Sequence, residues 1–208
     1  MRAVLFDMDG VLVFSEDAWF AVYNETLAHF GHAEISRAAF DAIYGNGTAA
    51  DRDAYMPERS VAEVDAAYER LFAARLDRIR PNPEAADVLR ELRRMGVATS
   101  VATNTNRPLA SRILEAQGLL SLVGCVTGAD EAGAGKPDPA VVRLAAERAG
   151  APLDACVFVG DSRFDEEAAR RAPVRFLGYR YGSADRVESL EALLPLTVAA
   201  RTQRLPAP

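Results

Sequence analysis

An α/β fold, a doubly wound parallel sheet with a small helical segment inserted near its start, is predicted by three observations. Short apolar runs recur along the chain, and the first of them ends in a carboxylate, as a buried parallel strand would. Helical patterns alternate with these runs in the second half, which is the signature of helices covering both faces of a sheet. Between the first and second runs the pattern stays helical for too long to be a single crossover helix. The 208 residues suffice for one good core plus such an insert, not for two full-sized domains.

The first strand is placed at 2–7 (Arg-Ala-Val-Leu-Phe-Asp). The insert follows, with helices at 16–30 stopped by Gly31, at 36–44 opened by Ser36, and at 60–79 opened by the capping box Ser60/Glu63. Its aromatic residues, Phe20, Tyr23, Phe30, Phe40 and Phe72, read as its own core and not as a cofactor box. Gly10 marks one edge and Pro81-Asn82-Pro83 the other. Asn82 is then a helix cap with Pro83 in the first turn, Ala86, Leu89 and Leu92 on one face, and Gly96 at the stop. Further strands fit 97–103, 122–127, 155–159 and 174–178, with helices at about 107–117, 139–149 and 163–172 between them. Neither an internal repeat nor a low-complexity segment is present.

Composition narrows the function. No apolar stretch approaches the ~20 residues of a spanning helix, and Asp7 falls where the apolar centre of a signal peptide would lie, so neither a membrane nor export is expected and the cytoplasm is the default. The formal net charge of −6 argues against a broad basic face for nucleic acid. Most of that excess lies in residues 15–80, which hold 12 Asp and Glu against 7 Arg. Cys125 and Cys156 lie in apolar strands outside any metal spacing, and His29 and His32 share one early segment. A His/Cys metal cluster and a Ser-His-Asp triad are both disfavoured, and acid chemistry must rest on carboxylates. Of 24 basic side chains, 23 are Arg and one is Lys. So strong a bias singles out Lys136, a compact point charge on a thin stem.

Ligands of a doubly wound sheet gather at the carboxyl ends of its strands. The first strand ends Asp7-Met8-Asp9-Gly10, a pair of carboxylates whose repulsion a cation or a proton relieves. The second ends Thr103-Asn104, a hydroxyl and backbone N–H groups that suit an anion or a helix cap. Lys136 sits in Gly135-Lys136-Pro137-Asp138-Pro139, and the strand at 155–159 runs into Gly160-Asp161-Ser162-Arg163-Phe164-Asp165. Each piece has an ordinary structural explanation. Taken in order, carboxylates, hydroxyl, lysine and carboxylates form a site able to hold a hard divalent cation and a phosphoryl group together.

That order and spacing resemble the haloacid dehalogenase-like hydrolase superfamily over nearly the whole chain, with Asp7/Asp9/Gly10, Thr103, Lys136 and Asp161/Asp165 standing at its four motifs. The resemblance implies a Rossmann-like core at 1–14 and 82–208, with a helical cap at 15–81 like that of phosphoglycolate phosphatases. It implies a phosphatase acting on a small phosphorylated metabolite. Asp7 would be the nucleophile, Asp9 the acid and base, and Mg²⁺ would be held by Asp7, the carbonyl of Asp9, and Asp161. Thr103, the N–H of Asn104 and Lys136 would bind the phosphoryl oxygens, with Asp165 orienting water or Lys136. A free Asp has a pKa near ~3.9, so Asp9 must be held partly protonated.

Asp9 favours phosphoryl transfer over halide displacement, because a halide leaves unprotonated. Hexose-phosphate mutases of the superfamily carry a His where Trp19 stands here and an Arg in a cap loop that reads Gly45-Asn46-Gly47-Thr48-Ala49-Ala50, so water is the expected acceptor. A module that takes up phosphate without turnover is the other alternative, but receiver domains lack a cap and place their acidic cluster ahead of the Thr and Lys. Phe14 stands where relatives have a polar residue, and Arg171-Ala172-Pro173 lacks the usual Gly. The stretch at 45–52 reads as a polar loop between cap helices, with Asn46, Thr48 and Arg52 as candidate substrate contacts; Arg52 either meets a substrate anion or pairs with Asp51 or Asp53. A monomer or weak homodimer is expected.

Overall fold

The computed structural model describes residues 1–182 and 185–202; positions 183–184 and 203–208 of the expected core range lie outside them. The chain opens with β1 (Ala3–Phe6) and β2 (Val13–Phe14), then enters four helices, α1 (Glu16–His29), α2 (Arg37–Ile43), α3 (Thr48–Tyr55) and α4 (Val61–Phe72). It returns through β3 (Arg80–Pro81) and continues as α5 (Ala85–Arg94), β4 (Ala98–Thr103), α6 (Arg107–Ala116), β5 (Cys125–Gly128) and α7 (Ala129–Ala132). The last elements are α8 (Ala140–Arg148), β6 (Cys156–Gly160), α9 (Arg163–Arg171), β7 (Arg175–Tyr179), β8 (Arg186–Val187) and α10 (Leu193–Thr202). Among the described residues, no helix is long and apolar enough to cross a membrane.

Six strands form one sheet in the order β5-β4-β1-β6-β7-β8, every pair parallel. β1 shows why both faces are covered. Its side chains alternate: Ala3 and Leu5 pack with Val141, Val142 and Ala145 of α8 and Ala168 and Ala169 of α9, while Val4 and Phe6 pack with Leu89 and Leu92 of α5 and Ile113 of α6. All four β1 residues are fully buried. Chain order passes from β1 to β4 and β5 on one side, then to β6 on the other, which puts a topological switch beside β1. In register, Phe6 lies opposite Val101 and Val159, so Asp7, Thr103-Asn104 and Gly160-Asp161 leave the sheet at the same edge.

The helical insert leaves and rejoins the core through one antiparallel ribbon, with Val13 opposite Pro81 and Phe14 opposite Arg80. Its interior is aromatic. Trp19 meets Phe72 at a centroid distance of 4.3 Å and Tyr68 at 5.3 Å, and Phe40 meets Phe20 at 5.3 Å and Tyr23 at 5.9 Å, mostly edge-to-face. The Ser60/Glu63 capping box forms and opens α4.

Local structure departs from the sequence reading at four places. The helix expected at 60–79 stops at Phe72 and gives way to a 3-10 turn at Leu76–Arg78. The polar loop expected at 45–52 is half helix, since α3 starts at Thr48. Residues Leu120–Leu122 form a 3-10 turn, which delays the strand expected at 122–127 until Cys125. Asn82 stands two residues ahead of Glu84, after which α5 begins: its Oδ1 accepts from the Glu84 N–H (3.1 Å) as a cap would, while its Nδ2 donates to the carbonyl of Val11 (2.8 Å) and the hydroxyl of Tyr179 (2.9 Å). The side chain is buried, and those bonds tie the insert's return to both the β1 turn and β7.

Candidate active site

Asp7 is the first residue past β1, and the chain must turn sharply behind it to free the sheet edge. Met8 accepts from the N–H groups of Leu12 and Val13, and Gly10 donates to Val13. Gly10 takes φ +81°, and a Cβ there would collide with the Asp161 carboxylate. The position therefore needs glycine twice over, for its conformation and for the close approach of the fourth motif.

Asp7 Oδ1 accepts from the Met8 N–H at 2.7 Å and pairs with Lys136 Nζ at 2.6 Å. Among the described residues its Oδ2 takes no hydrogen bond. Lys136 is buried, and its ammonium bridges Asp7 and Asp165, the latter at 2.7 Å. Asn104 fixes the lysine loop: its Oδ1 accepts from the Lys136 N–H (2.6 Å) and its Nδ2 donates to the Lys136 carbonyl (2.9 Å). Asp165 is fully buried and spends its other oxygen on Ser162, accepting from Oγ at 2.5 Å and from the N–H at 3.1 Å in the capping box that starts α9. Position 165 thus serves the helix and the lysine at once.

Asp9 is held differently. Its Oδ1 accepts from the Ser15 hydroxyl and from the Trp19 indole N–H (3.0 Å), and its Oδ2 from the Thr105 hydroxyl (3.2 Å). Ser15 precedes α1 and Trp19 lies one turn on, so one face of the first insert helix grips Asp9. These three partners were not singled out as acid-holding residues from sequence. The four-residue spacing of Ser15 and Trp19 was the available signal.

Burial dominates the electrostatics. It raises Asp7 well above the ordinary carboxylate range, reinforced by Asp165 and opposed by Lys136. Burial raises Asp9 too, with the Ser15, Trp19 and Thr105 hydrogen bonds pulling the other way. Asp161 is pushed up to about 7 by burial and by Asp165. Lys136 moves opposite to its own burial, because Asp165 and Asp7 more than restore its charge. One ammonium thus faces four carboxylates. Asp7, Asp161 and Asp165 each bring an oxygen within 4.8 Å of the others, and with Asp165 occupied by Lys136 and Ser162, Asp7 and Asp161 are left as donors. A hard, all-oxygen, over-negative donor set fits a divalent cation of the Mg²⁺ type.

These groups open into one cavity of about 270 Å³ whose opposite wall comes from the insert. Asp7, Asp9, Thr103, Asn104, Lys136 and Asp161 reach it from the core, and Thr48 from α3. Asn46 and Arg52 do not line it. Thr48 and Asp51 bracket the inward side of α3 while Arg52 lies on the far flank of Thr48, where its guanidinium pairs with Asp53 at 2.9 Å. The insert closes against the core where Asn104 Nδ2 donates to the Gly45 carbonyl (2.8 Å) and where the Ser15 and Tyr44 hydroxyls meet at 3.2 Å. Tyr23, Phe40, Asp51 and Tyr68 complete the wall and were not singled out as site residues. Each lies on a different helix of the insert: Tyr23 and Phe40 read as its aromatic core, Asp51 only as a partner for Arg52, and Tyr68 was not named.

Comparison with known proteins agrees with this geometry. The family of haloacid dehalogenase-like hydrolases matches residues 1–173, and the chain belongs to it. The phosphoglycolate phosphatase of Rhodospirillum rubrum is 33% identical over 206 residues, covering 92% of this chain and 85% of that protein. The phosphoglycolate phosphatase of Agrobacterium fabrum is 31% identical over 192 residues, covering 87% and 81%. Among solved structures, CbbY from Rhodobacter sphaeroides in complex with phosphate superposes with a TM-score of 0.81 at 25% identity, covering 93% of this chain and 96% of that one.

Proposed function

We propose that the protein is a Mg²⁺-dependent phosphatase that hydrolyses a small phosphate monoester through an aspartyl-phosphate on Asp7, with residues 15–81 as a cap over the core. The observation that carries this reading is the convergence of Asp7, Asp9, Thr103, Lys136 and Asp161 on one cavity. Similarity to phosphoglycolate phosphatases and to a phosphate-bound structure supports it.

Lys136 and the Met8 N–H hold one oxygen of Asp7, which leaves the other to attack phosphorus. As the P–O bond to the alcohol breaks, Asp9 gives its proton to the leaving oxygen. Burial raises Asp9 above the ordinary carboxylate range and so favours its carrying that proton, against the pull of the Ser15, Trp19 and Thr105 hydrogen bonds. Asp9 then takes a proton from the water that attacks phosphorus; the bond to Asp7 breaks, and inorganic phosphate and the Asp7 carboxylate are released. Thr103, the Asn104 N–H and Lys136 are the groups placed to bind phosphoryl oxygens. Asp7, the Asp9 carbonyl and Asp161 would hold Mg²⁺, which supplies charge neutralisation to the phosphoryl group. Trp19, in the position where mutases have His, is committed to Asp9, which favours water over a sugar as acceptor.

Hydrolysis of a chromogenic phosphate ester tests the reading. Activity is expected to vanish with EDTA and return with Mg²⁺, and phosphate is expected to be trapped on Asp7. Full activity without metal, or an adduct on another residue, refutes it.

A further inference from the structure

The insert's half of the cavity has a chemistry of its own. Lys136 is the only cation among the described residues that line the cavity, and it is held between Asp7 and Asp165 on the core side. Arg52, the nearest candidate for a second, does not line the cavity: its guanidinium pairs with Asp53, with Nε buried and unpartnered. The far wall instead presents carboxylates and aromatic hydroxyls. Asp51 faces the cavity and accepts from the Tyr68 hydroxyl at 3.1 Å. Tyr23 also faces it, is 2% exposed, and its hydroxyl has no hydrogen-bond partner. A buried hydroxyl without a partner costs free energy that a ligand group can recover.

A second anion on the substrate would therefore meet Asp51 with no positive charge to offset it, in a setting where burial strengthens the repulsion. A hydroxyl or ammonium group would meet an acceptor and an unsatisfied phenol, beside the rings of Trp19 and Phe40. Resting on the phosphatase reading above, we infer that the alcohol part of the substrate carries no second anion and presents an O–H or N–H donor to Asp51, with Tyr23 as its second partner. Burial raises Asp51 to about 7, so it stands as an ionised carboxylate, and repels a second anion in full, at pH 8. The inference separates this chain from what its relatives' names suggest, because phosphoglycolate carries a carboxylate on its alcohol carbon.

The test compares kcat/KM of the full chain with Mg²⁺ on four esters: acetyl phosphate, phosphoglycolate, glycerol phosphate and phosphoethanolamine. At least one of the last two is expected to exceed phosphoglycolate by tenfold or more, and which one leads tells a hydroxyl donor from an ammonium. Asp51→Asn, or Tyr23→Phe where the first variant does not fold, is expected to lower that ratio at least fivefold, mainly through KM. Phosphoglycolate ranking first in the wild type overturns the inference, as does a ratio unmoved in the folded variants. Turnover of acetyl phosphate with the wrong ranking leaves the phosphatase reading standing. No turnover of any ester removes that reading and the inference with it.

Discussion

The two walls of the cavity are built on opposite plans. The core wall is made by residues at or just past strand ends, Asp7, Thr103, Asn104 and Asp161, with Asp9 from the turn behind β1 and Lys136 from the loop after α7, held by backbone register and by short charged contacts such as Lys136 to Asp7 and Asp165. The insert wall is made by side chains of four helices, held by edge-to-face rings and by neutral or lone hydrogen bonds such as Tyr68 to Asp51. On the proposed function, reaction class belongs to the first and choice of alcohol to the second. Damage to the core wall should abolish turnover of every ester, whereas damage to the insert wall should reorder esters.

The largest effect is expected at Asp7. Asp7→Asn keeps the shape and removes the proposed nucleophile, so kcat on acetyl phosphate should fall by at least ~10³-fold. Steady-state assays with a folding check by circular dichroism measure it. Retention of most activity would break the comparison at its root. Lys136→Met comes next and acts twice. It removes the cation nearest the proposed phosphoryl site, for an expected loss of about 10²–10³-fold in kcat. It also leaves Asp7 and Asp165 buried without a counter-charge, which costs about 3–5 kcal/mol on the usual scale for breaking a buried pair. Urea unfolding should show the lower midpoint; an unchanged midpoint would mean that Lys136 contributes nothing to the core wall's stability.

Much of the core wall was legible because its chemistry is written locally. A strand pattern followed at once by Asp7-x-Asp9-Gly10, or by Gly160-Asp161, fixes both the element and the level at which the carboxylate emerges. The insert wall was not legible in the same way. Gly45-Asn46-Gly47 hid the start of α3, since Gly47 takes a left-handed φ of +85° and lies close over Asn104, yet in sequence it marks only a loop. Tyr23 and Phe40 read as aromatic core without any sign that one side of that core borders a cavity, and Tyr68 was not singled out at all. Asn82 beside Pro83 reads as a cap, and its oxygen does accept from the Glu84 N–H, but only the fold brings Val11 and Tyr179 to its amide nitrogen. The short β8 and the helix α10 carry too weak a pattern to be read in advance.

A moderate effect is expected from pH on the insert wall. Asp51 has a folded pKa raised to about 7 against an ordinary 3.8. Between those values the folded state binds more protons than the unfolded one, so stability falls as pH rises through that window. Asp51→Asn cannot ionise and should lose this slope. Thermal melts at pH 5 and pH 8 should show the variant gaining on the wild type as pH rises. A difference independent of pH would mean that Asp51 is not titrating in a buried setting, and would weaken the contrast between the walls.

The smallest effect concerns how loosely the walls are coupled. Ser60 opens α4 through a complete capping box with Glu63, exposed and far along the chain from Tyr68, which lies two turns further on the same helix. Ser60→Ala removes one cap acceptor and should cost about 1 kcal/mol, or roughly 2–4 °C in Tm for a chain of this size. Turnover of acetyl phosphate should stay within twofold, because no core residue depends on that cap. If fraying at the start of α4 travelled to Tyr68, KM for the preferred ester would rise while kcat held. A fall in kcat on acetyl phosphate at constant KM would instead show that the insert helices help to set the chemistry, through Trp19 packed against Tyr68 and hydrogen-bonded to Asp9.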